Sequence, residues 1–200
     1  MTPRKPTRRA LLTRAARVRI LLMDVDGVLT DGRYWSVPDA NGAPVEAKLF
    51  DSQDGLALQW LRQLGLRTGL ISGRVSQATE TRARQAGFTW CFQGHLEKIP
   101  LLERILGEAG VNGSQAAYIG DDFTDVVVMH RVGLAIATGN ARPEVKREAH
   151  YVTRAPGGHG AVRETVELIL QAQGRWGEIL GRYELVDPGR GSARMVRSKT

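Results

Sequence analysis

Residues 20–32 read "ILLMDVDGVLTDG", four apolar side chains that run directly into Asp24, Asp26 and Asp31. Ile20, Leu21, Leu22 and Met23 show no alternation with polar residues, so they read as a strand covered on both faces, the kind found in a parallel sheet. Gly27 and Gly32 mark tight backbone, which places the acids on the loop just past the strand's C-terminal end. In open α/β sheets ligands bind at that edge. Clustered carboxylates repel one another, and burying them unpaired is costly. The stretch predicts something positive at the mouth of the first strand.

Outward from this strand the signals alternate. The segment "RYWSVPDANGAPVEAKLF" holds two β-type runs around Asn41-Gly42, a hairpin signal. Helical spacing follows over residues 54–64, with Gly65 as C-cap. "RTGLIS" reads as a second buried strand and residues 75–86 as a helix. "TWCF" reads as a short strand, and "EKIPLLERILGEAG" as a helix that tolerates Pro100 in its first turn. "AAYIGDD" is a further strand ending in acids. A helix through Met129, the strand "GLAIA", a short helix near 142–149, "YVT" and a last helix near 161–172 complete the series. The alternation predicts a doubly wound α/β fold with a mainly parallel sheet and a β-hairpin insertion at about 33–50. The expected domain is 18–176, preceded by a basic segment, 1–17, and followed by a flexible basic tail, 187–200. No internal repeat is visible.

The chain has 200 residues, 42% of them hydrophobic and 24% charged, which suits one domain with a proper core. Its single cysteine, Cys91, allows neither an intrachain disulfide nor a multi-cysteine zinc cluster. Nothing approaches ~18 consecutive apolar residues, and the basic N-terminus lacks the apolar stretch of a secretory signal, so a cytoplasmic protein with no membrane partner is expected. The net charge of +7 invites a nucleic-acid reading. Residues 1–20, however, hold seven Lys/Arg and no acid, and residues 187–200 hold four against one. The positive charge sits at the ends, whereas a nucleic-acid reader carries it on its folded body. No nucleic-acid partner is expected.

Three more strand ends carry chemistry. "LISGR" ends in Ser72, Gly73 and Arg74; Lys98 opens the following helix; "YIGDDFTD" places Asp121, Asp122 and Asp125 after a strand. Taken singly, each has an ordinary explanation. Ser72 could cap a helix, Lys98 could be a solvated surface lysine, the three acids could be first-turn residues favoured by the helix dipole, and "GGHG" at 157–160 could be a plain turn. Together, at one sheet edge, carboxylates, a hydroxyl and a lysine are the groups of phosphoryl transfer around Mg²⁺, a hard cation for which two or three oxygen donors suffice. A calcium EF-hand fails, since Val28 and Trp35 stand at its fifth and twelfth positions. A cysteine phosphatase fails because Glu97 follows Cys91 where arginine is required. Phosphate-binding glycine loops of the GxxxxGK[ST] and GxGxxG types are absent.

"DVDGVLTDG", "SGR", Lys98 and "GDDFTD" resemble, in order, the four motifs of the haloacid dehalogenase superfamily of phosphatases. The stretch from about residue 11 to 176 looks closer still to its capless branch acting on 3-deoxy-D-manno-octulosonate 8-phosphate, through the hairpin, Phe50 to Gly55 and "YVTRAPGGHGAVRE". The resemblance implies a HAD-like Rossmannoid fold without a cap domain and a Mg²⁺-dependent phosphatase for a phosphorylated sugar acid. Asp24 would be the nucleophile and Asp26 the general acid and base, with Ser72 and Lys98 as further catalytic groups. Asp24, the backbone carbonyl of Asp26, and Asp121 would hold the metal, supported by Asp122 and Asp125. Substrate-binding positions map onto Asp26, Asp51, Ser52, Gln53, Asp54, Gly55, Gln59, Gly73, Arg74, Arg82 and Lys98. The chain departs from the branch at Gln53, Ala57 and Gln59, where the pattern has Arg, Gly and Lys or Arg. Another nonulosonate or small sugar phosphate is therefore the alternative substrate, and a non-catalytic scaffold is the alternative to an enzyme. An isolated hairpin is marginal in water, and Tyr34, Trp35 and Val37 give this one an apolar side. With the branch's habit of assembly, this implies a homotetramer with composite active sites, in which Asp51, Gln53 and Asp54 approach a neighbour's Asp24.

Overall fold

The structure is a computed structural model that describes residues 6–185. The elements run α1 (Arg8–Ala16), β1 (Ile20–Met23), β2 (Trp35–Pro38), β3 (Pro44–Ala47), α2 (Ser52–Gln63), β4 (Arg67–Ile71), α3 (Gln77–Ala86), β5 (Trp90–Phe92) and α4 (Ile99–Ala109). Then follow β6 (Ala116–Gly120), α5 (Phe123–Met129), β7 (Leu134–Ala137), α6 (Pro143–Glu148), β8 (Tyr151–Val152), α7 (Ala161–Ala172) and α8 (Trp176–Arg182). Six strands form one parallel sheet in the order β5-β4-β1-β6-β7-β8. The chain leaves β1 toward β4 and β5, then crosses back to β6, β7 and β8. The order reverses at β1, so the crevice beyond its C-terminal end is where this architecture places ligands.

The uninterrupted apolar run of β1 has a direct cause. Leu21 and Met23 point into a core shared with Leu58 and Leu61 of α2 and Val166 and Ile169 of α7. Ile20 and Leu22 point the other way, onto Leu102 and Ile105 of α4 and Val128 of α5. Successive side chains alternate between the faces of a strand, and here helices cover both faces. β2 and β3 pair only with each other, antiparallel, through Trp35–Ala47 and Val37–Val45. The Asp39 carboxylate closes their turn by accepting from the amides of Asn41 and Ala43, each at 2.8 Å.

Two helices were not expected. Within the basic segment, residues 8–16 form α1, because Ala15 is fully buried and Leu11 packs on the same core. Its Arg14 donates to the Gly133 carbonyl at 2.8 Å. Beyond the expected boundary at 176, α8 docks through aromatic rings: Trp176 meets Trp60 edge-on at 5.6 Å, and Trp60 Nε1 donates to the Tyr183 hydroxyl at 3.0 Å. Helix α2 starts at Ser52, two residues before the expected start, because Asp51 caps it by accepting from the Gln53 amide at 2.6 Å. The expected flexible tail, 187–200, lies outside the described residues.

Candidate active site

The strand ends converge as the sheet order dictates. Asp24 follows β1 and Asp121 follows β6, its hydrogen-bonded neighbour, and the Asp24 amide donates to the Ile119 carbonyl at 3.0 Å. One carboxylate oxygen from each of Asp24, Asp121 and Asp125 lies within 4.8 Å of the others. Asp125 reaches the cluster from the first turn of α5, where a capping box with Asp122 fixes it. Its Oδ2 accepts from the amides of Asp121 and Asp122 at 2.9 and 3.2 Å. Its Oδ1 accepts from Lys98 Nζ and the Tyr118 hydroxyl, both at 2.7 Å. Both oxygens are thus committed to protein donors. Asp122 itself is exposed and caps α5 through the Phe123 amide at 2.7 Å.

Lys98 is no surface lysine. It is 1% exposed, with Nζ 3.3 Å from Asp24 Oδ1 and 3.1 Å from the Tyr118 hydroxyl. Burial pushes its pKa down, but the carboxylates of Asp125 and Asp24 outweigh burial and hold the ammonium above its usual range. Burial, followed by the charge of Asp125, raises Asp24 from 3.8 to about 6 despite Lys98. Burial, then Asp125, Asp24 and Asp122, raises Asp121 to about 8. Asp121 Oδ1 is buried without a hydrogen-bond partner among the described residues. Three carboxylates face one ammonium, and the unpartnered oxygen points to where a further cation belongs. The donor set is all oxygen and suits Mg²⁺.

Gly27 makes the cluster possible. Its φ is +88°, and a Cβ there would stand 2.1 Å from Asp121 Oδ2. Its carbonyl accepts from Thr138 Oγ1 at 3.3 Å and Asn140 Nδ2 at 3.2 Å, just past the end of β7. Asn140 Oδ1 in turn accepts from the Gly157 amide at 2.6 Å, and the Gly158 amide donates to the Val28 carbonyl at 3.0 Å. A Cβ on Gly157 would lie 1.9 Å from the Gly27 carbonyl oxygen. The 157–160 stretch is a turn that also braces the first-strand loop.

Asp26 faces the other wall. Its Oδ1 accepts from Lys48 Nζ at 2.6 Å and its Oδ2 lies 3.5 Å from Arg74 Nε. Arg74 stacks on the Tyr34 ring at 4.2 Å and pairs closely with Glu46. Ser72 ends β4 in a buried position; its hydroxyl accepts from the Arg74 amide at 3.2 Å, and Gly73 beside it packs against Leu96. Asp31 corrects an expectation, since it turns outward and meets only Arg33, accepting from its amide at 2.9 Å with the guanidinium Nε 3.9 Å away. The acids that gather are Asp24, Asp121 and Asp125.

The remaining positions form a second group at the start of α2. Arg82 donates to the Asp51 carbonyl at 3.1 Å, and a Cβ on Gly55 would collide with its guanidinium at 2.2 Å. A groove of about 460 Å³, lined by Val45, Glu46, Lys48, Phe50 and Arg82 among others, joins this group to the hairpin. Ser52, Gln53 and Gln59 are exposed on α2. Asp54 is a correction. It is buried, and its carboxylate accepts from the Arg163 amide at 2.7 Å and the Gly160 amide at 3.4 Å, so it caps α7 within its own chain. Burial raises it to about 6. Sequence reasoning missed Tyr118, Thr138, Asn140, Glu46 and Lys48. Thr138 and Asn140 stand just past a strand end, which was a usable signal; Lys48 closes an exposed strand and gave none.

A sequence profile for haloacid dehalogenase-like hydrolases matches residues 75–163. The 3-deoxy-D-manno-octulosonate 8-phosphate phosphatase of Yersinia pestis is 39% identical over 163 residues, 82% of this chain and 85% of that protein. The corresponding phosphatase of Moraxella catarrhalis, solved in complex with magnesium, phosphate and a KDO molecule, superposes with a TM-score of 0.83 at 34% identity, over 88% of this chain and 99% of that one. The cobalt-bound enzyme of Haemophilus influenzae gives a TM-score of 0.74 at 37% identity, over 80% and 92%. The chain belongs to the haloacid dehalogenase-like hydrolases, on the branch of the 3-deoxy-D-manno-octulosonate 8-phosphate phosphatases, and is a phosphoric monoester hydrolase.

Proposed function

We propose that the chain hydrolyses 3-deoxy-D-manno-octulosonate 8-phosphate to the free sugar acid and phosphate, through an aspartyl-phosphate on Asp24. The observation that carries the mechanism is the cluster of Asp24, Asp121 and Asp125 against the single buried Lys98. Mg²⁺ held by Asp24, Asp121 and the Asp26 carbonyl would shield the phosphate's charge from an attacking carboxylate. The chain's own groups do the rest. Asp24 attacks phosphorus while Asp26 gives its proton to the departing alkoxide; Asp26 then takes a proton from the water that cleaves the acyl phosphate. Lys98 holds Asp24 in line from 3.3 Å. Ser72 binds the phosphoryl oxygens, Arg74 and Arg82 take the acidic end of the substrate, and Asp122 and Asp125 fix the frame.

Supporting the substrate are the relatives' activities and Arg74 at the crevice mouth. Gln53 and Gln59, exposed where the branch carries cations, favour a second reading with another phosphorylated sugar acid. The enzyme works in the cytoplasm as a homotetramer. Supporting assembly, Tyr34, Trp35, Val37 and Val45 leave an exposed apolar face on the hairpin, which closed symmetric association would cover. A neighbour's Asp51 and Gln53 complete each site. The domain spans 18–176 with α1 and α8 as docked additions. The test is phosphate release from a panel of phosphorylated 2-keto-3-deoxy acids. The octulosonate ester should have the highest kcat/KM, activity should vanish in EDTA and return with Mg²⁺, and Ca²⁺ should inhibit. Full turnover in EDTA refutes the mechanism, and a different preferred ester refutes the substrate alone. Sedimentation at assay concentration tests the tetramer; a fully active monomer excludes it.

A further inference from the structure

Lys48 is the charged group whose place in the site none of the motifs explains. It follows the return strand of the hairpin, on an insertion whose large apolar side chains face solvent. Its own side chain is 0% exposed. Burying an ammonium is costly unless it finds an acceptor and counter-charge; Lys48 donates to Asp26 Oδ1 at 2.6 Å, and the Glu46 carboxylate adds charge from 3.4 Å. Glu46 pairs in turn with Arg74, which stacks on Tyr34. The hairpin's base thus reaches into the crevice through one short ion pair and ends on the side chain read above as the general acid and base.

The two oxygens of Asp26 are unequal. Oδ1 is held by Lys48, with the Thr30 hydroxyl at 3.5 Å as a weaker partner. Oδ2 has the longer contact, 3.5 Å to Arg74 Nε, on a side chain that is 21% exposed at the crevice mouth. Only Oδ2 is left to meet a leaving-group oxygen. A proton on Oδ2 leaves Oδ1 as an acceptor for Lys48, so the pairing survives both halves of the cycle. We propose that Lys48 is a positioning residue for the reaction: it pins Asp26 Oδ1 so that Oδ2 gives the proton to the leaving alkoxide and later takes one from water. The proposal rests on the reading of Asp26 as acid and base. A simple anchor for the hairpin is the competing role, and the two differ in what their loss does to chemistry.

The experiment compares Lys48→Met, Lys48→Gln, Lys48→Arg and Asp26→Asn in the full-length enzyme with Mg²⁺. Two esters are used: the phosphorylated sugar acid, whose alkoxide needs a proton, and p-nitrophenyl phosphate, whose nitrophenolate leaves without one. Loss of the proton donor costs about 10²–10⁴-fold, and mis-aiming it should cost part of that. Lys48→Met and Lys48→Gln should lower kcat on the sugar ester about 10–100-fold with KM within about threefold. The burst of nitrophenolate, which reports attack by Asp24 alone, should keep at least a third of its wild-type rate. Lys48→Arg, which restores a buried donor, should recover most of the lost kcat. Equal losses in the burst rate and the sugar-ester kcat mean that Lys48 only anchors the hairpin, and the proposal is overturned. So is it by a wild-type kcat in both neutral variants, or by an effect on KM alone. Asp26→Asn separates the layers: full turnover of the sugar ester in that variant sinks the acid–base reading itself, whereas an inactive Asp26→Asn beside unimpaired Lys48 variants sinks only the role of Lys48.

Discussion

Replacing Asp121 by Asn should make the metal-free protein more stable while destroying its activity, and the gain should depend on pH in a defined direction. In the metal-free fold Asp121 titrates at about 8, because burial and then Asp125, Asp24 and Asp122 oppose its charge, against 3.8 for an unperturbed aspartate. Between those values the folded chain binds a proton that the unfolded chain has already lost. Stability therefore falls as pH rises from about 4 and levels off above about 8. At ~1.4 kcal/mol per pH step the full interval would amount to roughly 6 kcal/mol. Taking half of that for relaxation of a coupled cluster leaves about 3 kcal/mol, or ~6–12 °C in Tm for a domain of this size. An amide cannot carry the charge, so Asp121→Asn escapes the penalty. The assay is thermal unfolding of both proteins in EDTA at pH 5, 6, 7 and 8. Near pH 5 their Tm values should approach each other, and at pH 8 the variant should melt higher by the stated margin. Saturating Mg²⁺ should reverse the order, since only the wild type binds the ion well. A Tm difference that stays flat across this range in EDTA would falsify the charge reading of the cluster.

Asp24→Asn should abolish turnover and weaken Mg²⁺ binding, while Asp26→Asn should slow turnover by about 10²–10⁴-fold with Mg²⁺ affinity nearly intact; calorimetric titration decides, and equal losses of affinity mean the ligands are misassigned. Trp60→Ala should cost about 3–5 kcal/mol, because the ring is buried between Arg163, 4.0 Å above it, and the aromatic residues of α8 and its C-terminal end; its Tm should drop with kcat per folded molecule unchanged. His150 predicts a second pH effect of opposite sign. Burial and Arg14 hold its pKa below 6.5, and its Nδ1 accepts from the Ala135 amide at 2.9 Å, so stability should decline as pH falls through 6.5. A variant, His150→Asn, should remove that slope, and an unchanged slope rules the residue out.

The fold was legible because its strands are buried on both faces and its punctuation is strong. The run Ile20–Met23 reads as a parallel strand only because helices cover both sides, and Gly65, Gly87 and Gly110 end their helices where the periodicity stops. The two missed helices lack such signals. In α1, "RRALLTRAA" sets three arginines among leucines and alanines, and it is held by one fully buried alanine and a partly buried leucine. In α8 the docking is edge-on aromatic packing against Trp60, a residue more than a hundred positions away in the chain. Composition cannot announce a contact of that length.

The site divides along the same line. Groups that follow strands directly, Asp24, Ser72 and Asp121, could be placed by counting strand ends, since parallel strands deliver all of them to one edge. Groups that reach the crevice from elsewhere could not. Asp54 has the spacing of a recognition residue, yet the amide of Arg163 and the first turn of α7 claim its carboxylate. Lys48 has the look of a solvated hairpin lysine, yet it is enclosed between two acids. In both cases the deciding quantity is where a carboxylate finds its donors, a three-dimensional count of hydrogen bonds that one-dimensional spacing does not encode. That count also explains why Asp121 stands apart. Asp125 meets four protein donors, Asp26 meets two cations and Asp24 meets Lys98, whereas Asp121 keeps one buried oxygen that no group among the described residues satisfies. An orphaned oxygen beside two further carboxylates is a place for a ligand, and the charge of those neighbours fixes the sign of that ligand as positive.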